Sequence, residues 1–162
     1  MIAAQPTIGF ASIEDVFELA RLRWELYEEH DGKPAEPFET YRDRFVGFAI
    51  HALTSETWRA WVAREGDRAV GAMWLQTVPR VPRPGRRPGP IGYLTNAYVS
   101  PEHRNRGLGA RMLDRVAEWC RDEGYSLVIV WPTDRSRPFY HRGGFGRPDD
   151  PLVRVLNDDP PV

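Results

Sequence analysis

The segment Val99-Ser-Pro-Glu-His-Arg-Asn-Arg-Gly-Leu-Gly-Ala110 constrains this chain more than any other, because it reads as a strand turning into a helix. Ahead of it, Ile91 to Val99 has the character of a strand; behind it, Gly107 to about Glu123 reads as a helix with an inner stripe of Leu108, Met112, Val116 and Cys120. A helix N-terminus leaves about four backbone N–H groups unpaired and carries partial positive charge. Gly107 and Gly109 carry no Cβ, so an anionic group can approach those N–H groups closely. Arg104 and Arg106 add full charges beside them, an arrangement better suited to a diphosphate than to a single carboxylate.

Two commoner phosphate loops are excluded by the residues that follow. A nucleoside-triphosphate loop closes on Gly-Lys-Ser/Thr, whereas Gly109 is followed by Ala110, Arg111 and Met112. The dinucleotide fingerprint requires Gly or Ala three positions beyond its second glycine, and that position is Met112.

The remaining elements set the fold class. Thr7 to Ala11 reads as a first strand, and Ser12 as the N-cap of a helix reaching about His30, with Ile13, Val16, Phe17, Ala20, Trp24 and Tyr27 on its buried stripe. A second helix, from near Pro37 to Ser55, turns Tyr41, Phe45, Phe48, Ala49 and Ala52 inward. From Trp58 the period becomes two, with a hairpin turn at Glu65 to Arg68 and a longer strand from Val70 to Val78. The Pro- and Arg-rich stretch from Pro79 to Pro90 is a loop. Leu127 to Trp131 reads as a strand covered on both faces, followed by a short helix near Arg135 to Arg142 and a last strand near Leu152 to Leu156. The fold class is mixed α/β (α+β) in one domain, 1–162, with a parallel crossover around the helix beginning at Gly107.

Charge and cysteine content exclude several function classes. A net charge of −1 gives no general attraction to nucleic acid. No apolar run approaches the roughly 20 residues that span a bilayer. The opening Met1 to Pro6 lacks a secretory pattern, and the single Cys120 agrees with a reducing interior, so a cytoplasmic location is expected. Cys120 itself reads as a buried structural thiol. The histidines at positions 30, 51, 103 and 141 show no metal-ligand spacing, and no metal is expected.

The pattern Arg-x-x-Gly-x-Gly/Ala after a Val-x-Pro-Glu-x-Arg strand end resembles motif A of the GNAT superfamily of N-acetyltransferases. Trp131-Pro-Thr-Asp-Arg-Ser-Arg-Pro-Phe-Tyr-His-Arg-Gly-Gly-Phe145 is similar to the family's motif B, correctly ordered and separated by a helix. The resemblance covers about Ile91 to Phe145. It implies a mostly antiparallel twisted sheet of six to seven strands with a central parallel pair, flanked by about four helices. It also implies acetyl-CoA as co-substrate and an amine as acceptor, joined by direct transfer in a ternary complex. Backbone N–H groups of Arg104, Asn105, Arg106, Gly107, Leu108, Gly109 and Ala110 would hold the pyrophosphate. The strand edge at Tyr98 and Val99 would pair with the pantetheine amides, and an N–H near Ala97 or Tyr98 would polarise the thioester carbonyl.

Tyr140 is the candidate general acid toward the departing thiolate; the alternative is a core tyrosine with its hydroxyl bonded to backbone. The strand before the loop lacks the glutamate many relatives use as base, which leaves Asn96 orienting a water and Glu25, Glu28, Glu29 or Asp134 receiving the proton, or an amine arriving neutral. Glu25, Glu28, Glu29 and Asp31 are either a solvated helix end or an attraction for a cationic acceptor. Arg135 and Arg137 are further candidates for phosphate contact. Another acyl-CoA, a non-catalytic CoA-binding or sensing module, and homodimer assembly stay open on the sequence alone.

Overall fold

One sheet organises the residues described by the computed structural model, which are 5–146 and Arg154. Its strands are β1 (Thr7–Phe10), β2 (Trp58–Glu65), β3 (Arg68–Val78), β4 (Ile91–Val99) and β5 (Leu127–Val130), lying side by side in chain order. Every pairing is antiparallel except β4 with β5, which run parallel with Ile91 opposite Leu127 and Leu94 opposite Val130. The crossover between them is α3 (Leu108–Asp122). The other helices are α1 (Val16–Asp31), α2 (Phe38–Leu53) and α4 (Arg137–Arg142).

The alternation of β3 divides the core into two layers. Met73 and Leu75 face Leu108, Met112, Leu113, Val116 and Cys120 of α3 and Tyr140 of α4. Ala72 and Trp74 face Val16, Leu19 and Leu22 of α1 and Ala49 and Ala52 of α2. The stripe of α3 is as the sequence predicts, and burying each of its Leu, Met and Val side chains is worth roughly 1.5–3 kcal/mol. Ser12 also acts as expected, although it caps a single 3₁₀ turn, Ile13–Asp15, before α1 begins. Its hydroxyl accepts from the Glu14 N–H at 3.2 Å, and its own N–H donates to Asp15 Oδ2 at 2.7 Å.

Four expectations change. The buried side of α1 is Val16, Leu19, Ala20 and Leu22, while Phe17 is 61% exposed and Ile13 and Tyr27 are also exposed. The helix carries apolar residues on more than one face, and the face that packs on β3 decides. In α2, Ala49 and Ala52 are buried as expected, but Phe48 is exposed. β5 is not covered on both faces: Leu127 is 46% exposed, and no strand lies beyond β5 among the described residues. The last expected strand, near Leu152 to Leu156, lies outside the described residues, Arg154 excepted; among the described residues the sheet has five strands, against the six to seven expected. The Pro79–Pro90 stretch is a loop that folds back on itself where Arg83 and Arg86 bond each other's backbone.

Candidate active site

β4 pairs with β5 only as far as Leu94, whereas its ladder with β3 continues to Val99, opposite Gly71. Residues 95–99 therefore present one backbone edge to no strand among the described residues. Such an edge offers N–H and C=O groups to an extended ligand. The register also slips here: Ala72 opposes Tyr98 while Trp74 opposes Thr95, and Asn96 takes a φ of 50°. This bulge re-phases the strand. Leu94 packs on the α3 side, but after the bulge it is Ala97 and Val99 that do so, with Tyr98 turned toward α1.

After Val99 the chain makes one 3₁₀ turn, Pro101–His103, and then two left-handed residues, Asn105 (φ 59°) and Gly107 (φ 77°), flanking Arg106. Gly107 is the N-cap of α3, and no side chain caps the helix. The first N–H groups of α3 are thus left for a ligand or water. Gly109 serves packing: a Cβ there would lie 3.3 Å from Cε2 of Phe139, so α4 sits directly over the first turn of α3.

These elements enclose a cleft of about 650 Å³. Ala97, Tyr98, Val99, Arg104, Asn105, Gly107, Leu108, Gly109 and Ala110 line it, together with Arg135, Ser136, Phe139 and Tyr140 on the far wall. Arg106 is exposed and does not line the cleft, and Arg137 instead approaches Asp134 at 3.6 Å. Sequence reasoning missed Met73, Leu113 and Asp114, which line the cleft from β3 and α3.

The charges are less free than the sequence implies. Arg104 donates through Nε to the Val99 carbonyl at 2.8 Å and through its two terminal nitrogens to Glu29 at 2.8 and 2.6 Å. Arg135 makes a second ion pair with Glu29. Glu29 thus bridges two arginines of the cleft wall, and the hydrogen bonds from Arg104 above all hold its carboxyl at about 2. Glu25 accepts from Arg21 at 2.6 Å and from the Tyr98 hydroxyl at 3.4 Å. At the acidic end of α1, Glu25 and Glu29 are therefore already paired, whereas Glu28 and Asp31 are exposed. While Arg104 and Arg135 hold it near 2, the Glu29 carboxyl is a poor proton acceptor. Asp134 does not line the cleft.

The bridge has a measurable acid signature. Glu29 titrates at about 2 in the folded chain against an ordinary 4.5, so its stabilisation is complete above about pH 4.5 and is lost as pH falls toward 2. Glu29→Gln should therefore flatten the fall of melting temperature over that window, and a variant that tracks the parent there would refute the bridge.

Tyr140 is 6% exposed, and burial pushes its hydroxyl up to about 12. Among the described residues that hydroxyl has no hydrogen-bond partner, unlike a structural tyrosine tied to backbone. Helix α4 presents it to the cleft, with its ring packed at 5.1 Å from Phe139 and 5.5 Å from Phe145. His141 bonds the Phe145 carbonyl through Nδ1 and makes no pair with Tyr140. Cys120 is buried beneath α3, where burial raises its thiol to about 11, so it is no nucleophile. Among the described residues no cluster of His, Cys, Asp and Glu could hold a metal, and no helix is long and apolar enough to cross a membrane.

Comparison with known families decides what this architecture is. The model of the acetyltransferase (GNAT) family matches residues 13–145. The chain belongs to the GNAT family. Among its curated relatives, an aminoglycoside N(6')-acetyltransferase type 1 from Stenotrophomonas maltophilia is 29% identical over 76% of this chain and 73% of that protein. A glucosamine 6-phosphate N-acetyltransferase from Trypanosoma brucei brucei is 33% identical over 48% of this chain and 51% of that protein. The chain spans about half or less of that relative and of a 31% identical rat N-acetyltransferase 8B, of which it covers 30%. A predicted acetyltransferase from Clostridium acetobutylicum, solved with acetyl-CoA, superposes at a TM-score of 0.77 with 20% identity, covering 93% of this chain and 96% of that one. In this GNAT chain the edge of β4 left unpaired beyond the end of β5, the β4 bulge and the β4–α3 loop meet at one cleft.

Proposed function

We propose that this GNAT chain transfers an acetyl group from acetyl-CoA to an amine in a ternary complex. One observation carries the reading: the uncapped N-terminus of α3, the unpaired edge of β4 and the hydroxyl of Tyr140 converge on a single cleft. The cleft suits acetyl-CoA chemically. Backbone N–H groups between Arg104 and Ala110 hold the diphosphate where the left-handed Asn105 and Gly107 turn the loop. Arg135 stands beside the same wall, and Glu29 holds it and Arg104 in place until phosphate competes for them. The free edge at Tyr98 and Val99 pairs with the pantetheine amides as an added strand would.

The chemistry follows from the remaining groups. A neutral amine attacks the thioester carbonyl carbon; the C–N bond forms, the C–S bond breaks, and the electron pair leaves on sulfur. A backbone N–H at the bulge, near Ala97 or Tyr98, stabilises negative charge developing on the carbonyl oxygen. Tyr140 donates a hydrogen bond to the departing sulfur. A hydroxyl held at about 12 stays protonated throughout the working range, so its part is to donate rather than to titrate. Asn96 lies at the bulge without a carboxylate, and the amine loses its proton to water there. The lone thiol, Cys120, fits work in a reducing cytoplasm.

The test is acetyl-CoA with pooled amines, read as thiol release. Release that depends on added amine supports transfer. Tight donor binding with no release by any amine points to a sensing module and overturns the proposal.

A further inference from the structure

A second cavity, of about 270 Å³, lies on the opposite face of the sheet, beneath α1 and α2. Its walls are Phe45 and Phe48 of α2, Trp58 of β2 and Trp74 of β3, with Asn96 of the bulge at one side. The rings contact each other edge-on, Phe45 and Trp74 at 6.0 Å and 87°, Phe48 and Trp58 at 5.5 Å and 85°. A volume just below the roughly 300 Å³ of ordinary small-molecule sites admits one ring, not a sugar chain or a peptide.

Besides Asn96, the polar groups of this cavity are two arginines and a tyrosine hydroxyl. Arg23 of α1 lines it, half-buried, and has no carboxylate partner among the described residues. The Tyr41 hydroxyl, on the same wall, is buried without a hydrogen-bond partner among the described residues. A buried orphan hydroxyl is costly unless something completes it. Arg44 lies near, although Glu36 already engages its guanidinium at 2.6 and 2.9 Å. Burial raises the Tyr41 hydroxyl to about 12; the charges of Arg23 and Arg44 act against that rise and the Glu36 carboxylate, which pairs with Arg44, adds to it, so Arg23 is the cation left to a ligand. An aromatic slot that ends in a free guanidinium and an unpaired hydroxyl is complementary to a ring bearing a carboxylate.

Adjacent residues of the bulge line the two cavities. Asn96 lines this one and Ala97 lines the donor cleft, and both lie beyond Leu94, where β5 stops pairing. We infer that the cavity is the acceptor site and that the acceptor is a single-ring aromatic amine carrying a carboxylate, an aromatic amino acid or close relative. The ring lies among Phe45, Phe48, Trp58 and Trp74; the carboxylate meets Arg23 and the Tyr41 hydroxyl; the amine reaches the unpaired edge of β4 past Asn96. This inference rests on the acetyl-transfer reading and extends it to the substrate class.

The experiment has a binding arm and a kinetic arm. In calorimetry without donor, 3-phenylpropionate, which keeps the ring and carboxylate but has no amine to react, should bind at least tenfold more tightly than phenethylamine. With acetyl-CoA present, kcat/KM for phenylalanine should exceed that for phenethylamine and for alanine at least tenfold each. Arg23→Met should bring phenylalanine level with phenethylamine, and Trp74→Ala should bring it level with alanine. Should 3-phenylpropionate fail to bind, or should a ring-free or polycationic amine be the better acceptor and ignore both substitutions, the inference is overturned while acetyl transfer stands. Failure to bind acetyl-CoA at all would overturn the transfer reading, a result the binding arm distinguishes because it needs no donor.

Discussion

Gly107→Val should weaken acetyl-CoA binding about tenfold or more while leaving the chain folded. Gly107 holds a φ of 77° at the N-cap of α3, and no neighbouring atom lies within 4 Å of a Cβ built there. The substitution therefore meets no steric wall, and its effect is conformational. A left-handed backbone costs an L-residue roughly 1–2 kcal/mol, and a β-branched one more. The loop relieves that strain by leaving the left-handed region, which turns the N–H groups between Arg104 and Ala110 away from the cleft. About 1.4 kcal/mol corresponds to a tenfold change in affinity. Gly107→Asn supplies the control: asparagine tolerates the left-handed region, as Asn105 and Asn96 already do in this chain. Asn should recover most of the affinity that Val loses. Equal loss in both variants would mean that space, not backbone conformation, is what Gly107 supplies.

Tyr140→Phe is expected to lower kcat by about a hundredfold while changing the dissociation constant for acetyl-CoA less than about threefold. Phenylalanine keeps the ring and its packing on Phe139 and Phe145, and removes only a hydroxyl that has no partner among the described residues. Little stability should therefore be lost. The pH dependence adds a sharper criterion. Burial holds the hydroxyl at about 12, above its ordinary 10, so it remains protonated across any practical assay range. Parent and variant should then give pH–rate profiles of the same shape, offset in height. An alkaline limb present in the parent below about pH 10 and lost in Tyr140→Phe would show that the hydroxyl titrates during turnover, against this assignment.

Legibility from sequence differed sharply between the two halves of the site. The donor side could be read because its signals are local. Gly107 and Gly109 and the i, i+4 stripe of Leu108, Met112, Val116 and Cys120 lie within one crossover, and the Phe139–Tyr140 pair lies in the next helix, just after β5. Helix periodicity placed the stripe and short motifs placed the rest, and the cleft gathers all the expected donor-side residues except Arg106 and Arg137. The bulge at Asn96 left no such trace, because an asparagine in mid-strand looks like any polar residue until its φ is known. The pairing of Glu29 with Arg104 joins residues 75 positions apart, and no periodic pattern records it. For the same reason Arg104 looked like a free cation. The aromatic cavity is assembled from α1, α2, β2, β3 and β4, so its composition emerges only when the sheet closes. Phe17 and Phe48 illustrate the limit of apolar spacing: both fit a helical stripe, and both are exposed because the adjacent face packs on the sheet.

The central claim is that the loop from Arg104 to Ala110 holds a coenzyme A diphosphate, and calorimetric titration with acetyl-CoA and S-acetylpantetheine tests it most directly. The two share the acetyl thioester and the pantetheine arm, and only acetyl-CoA carries the diphosphate and nucleotide. The account predicts saturable single-site binding of acetyl-CoA below about 100 μM, or about −5.5 kcal/mol, and binding of S-acetylpantetheine at least about a hundredfold weaker. Equal affinity for the two, or no heat from acetyl-CoA at millimolar concentration, would contradict it.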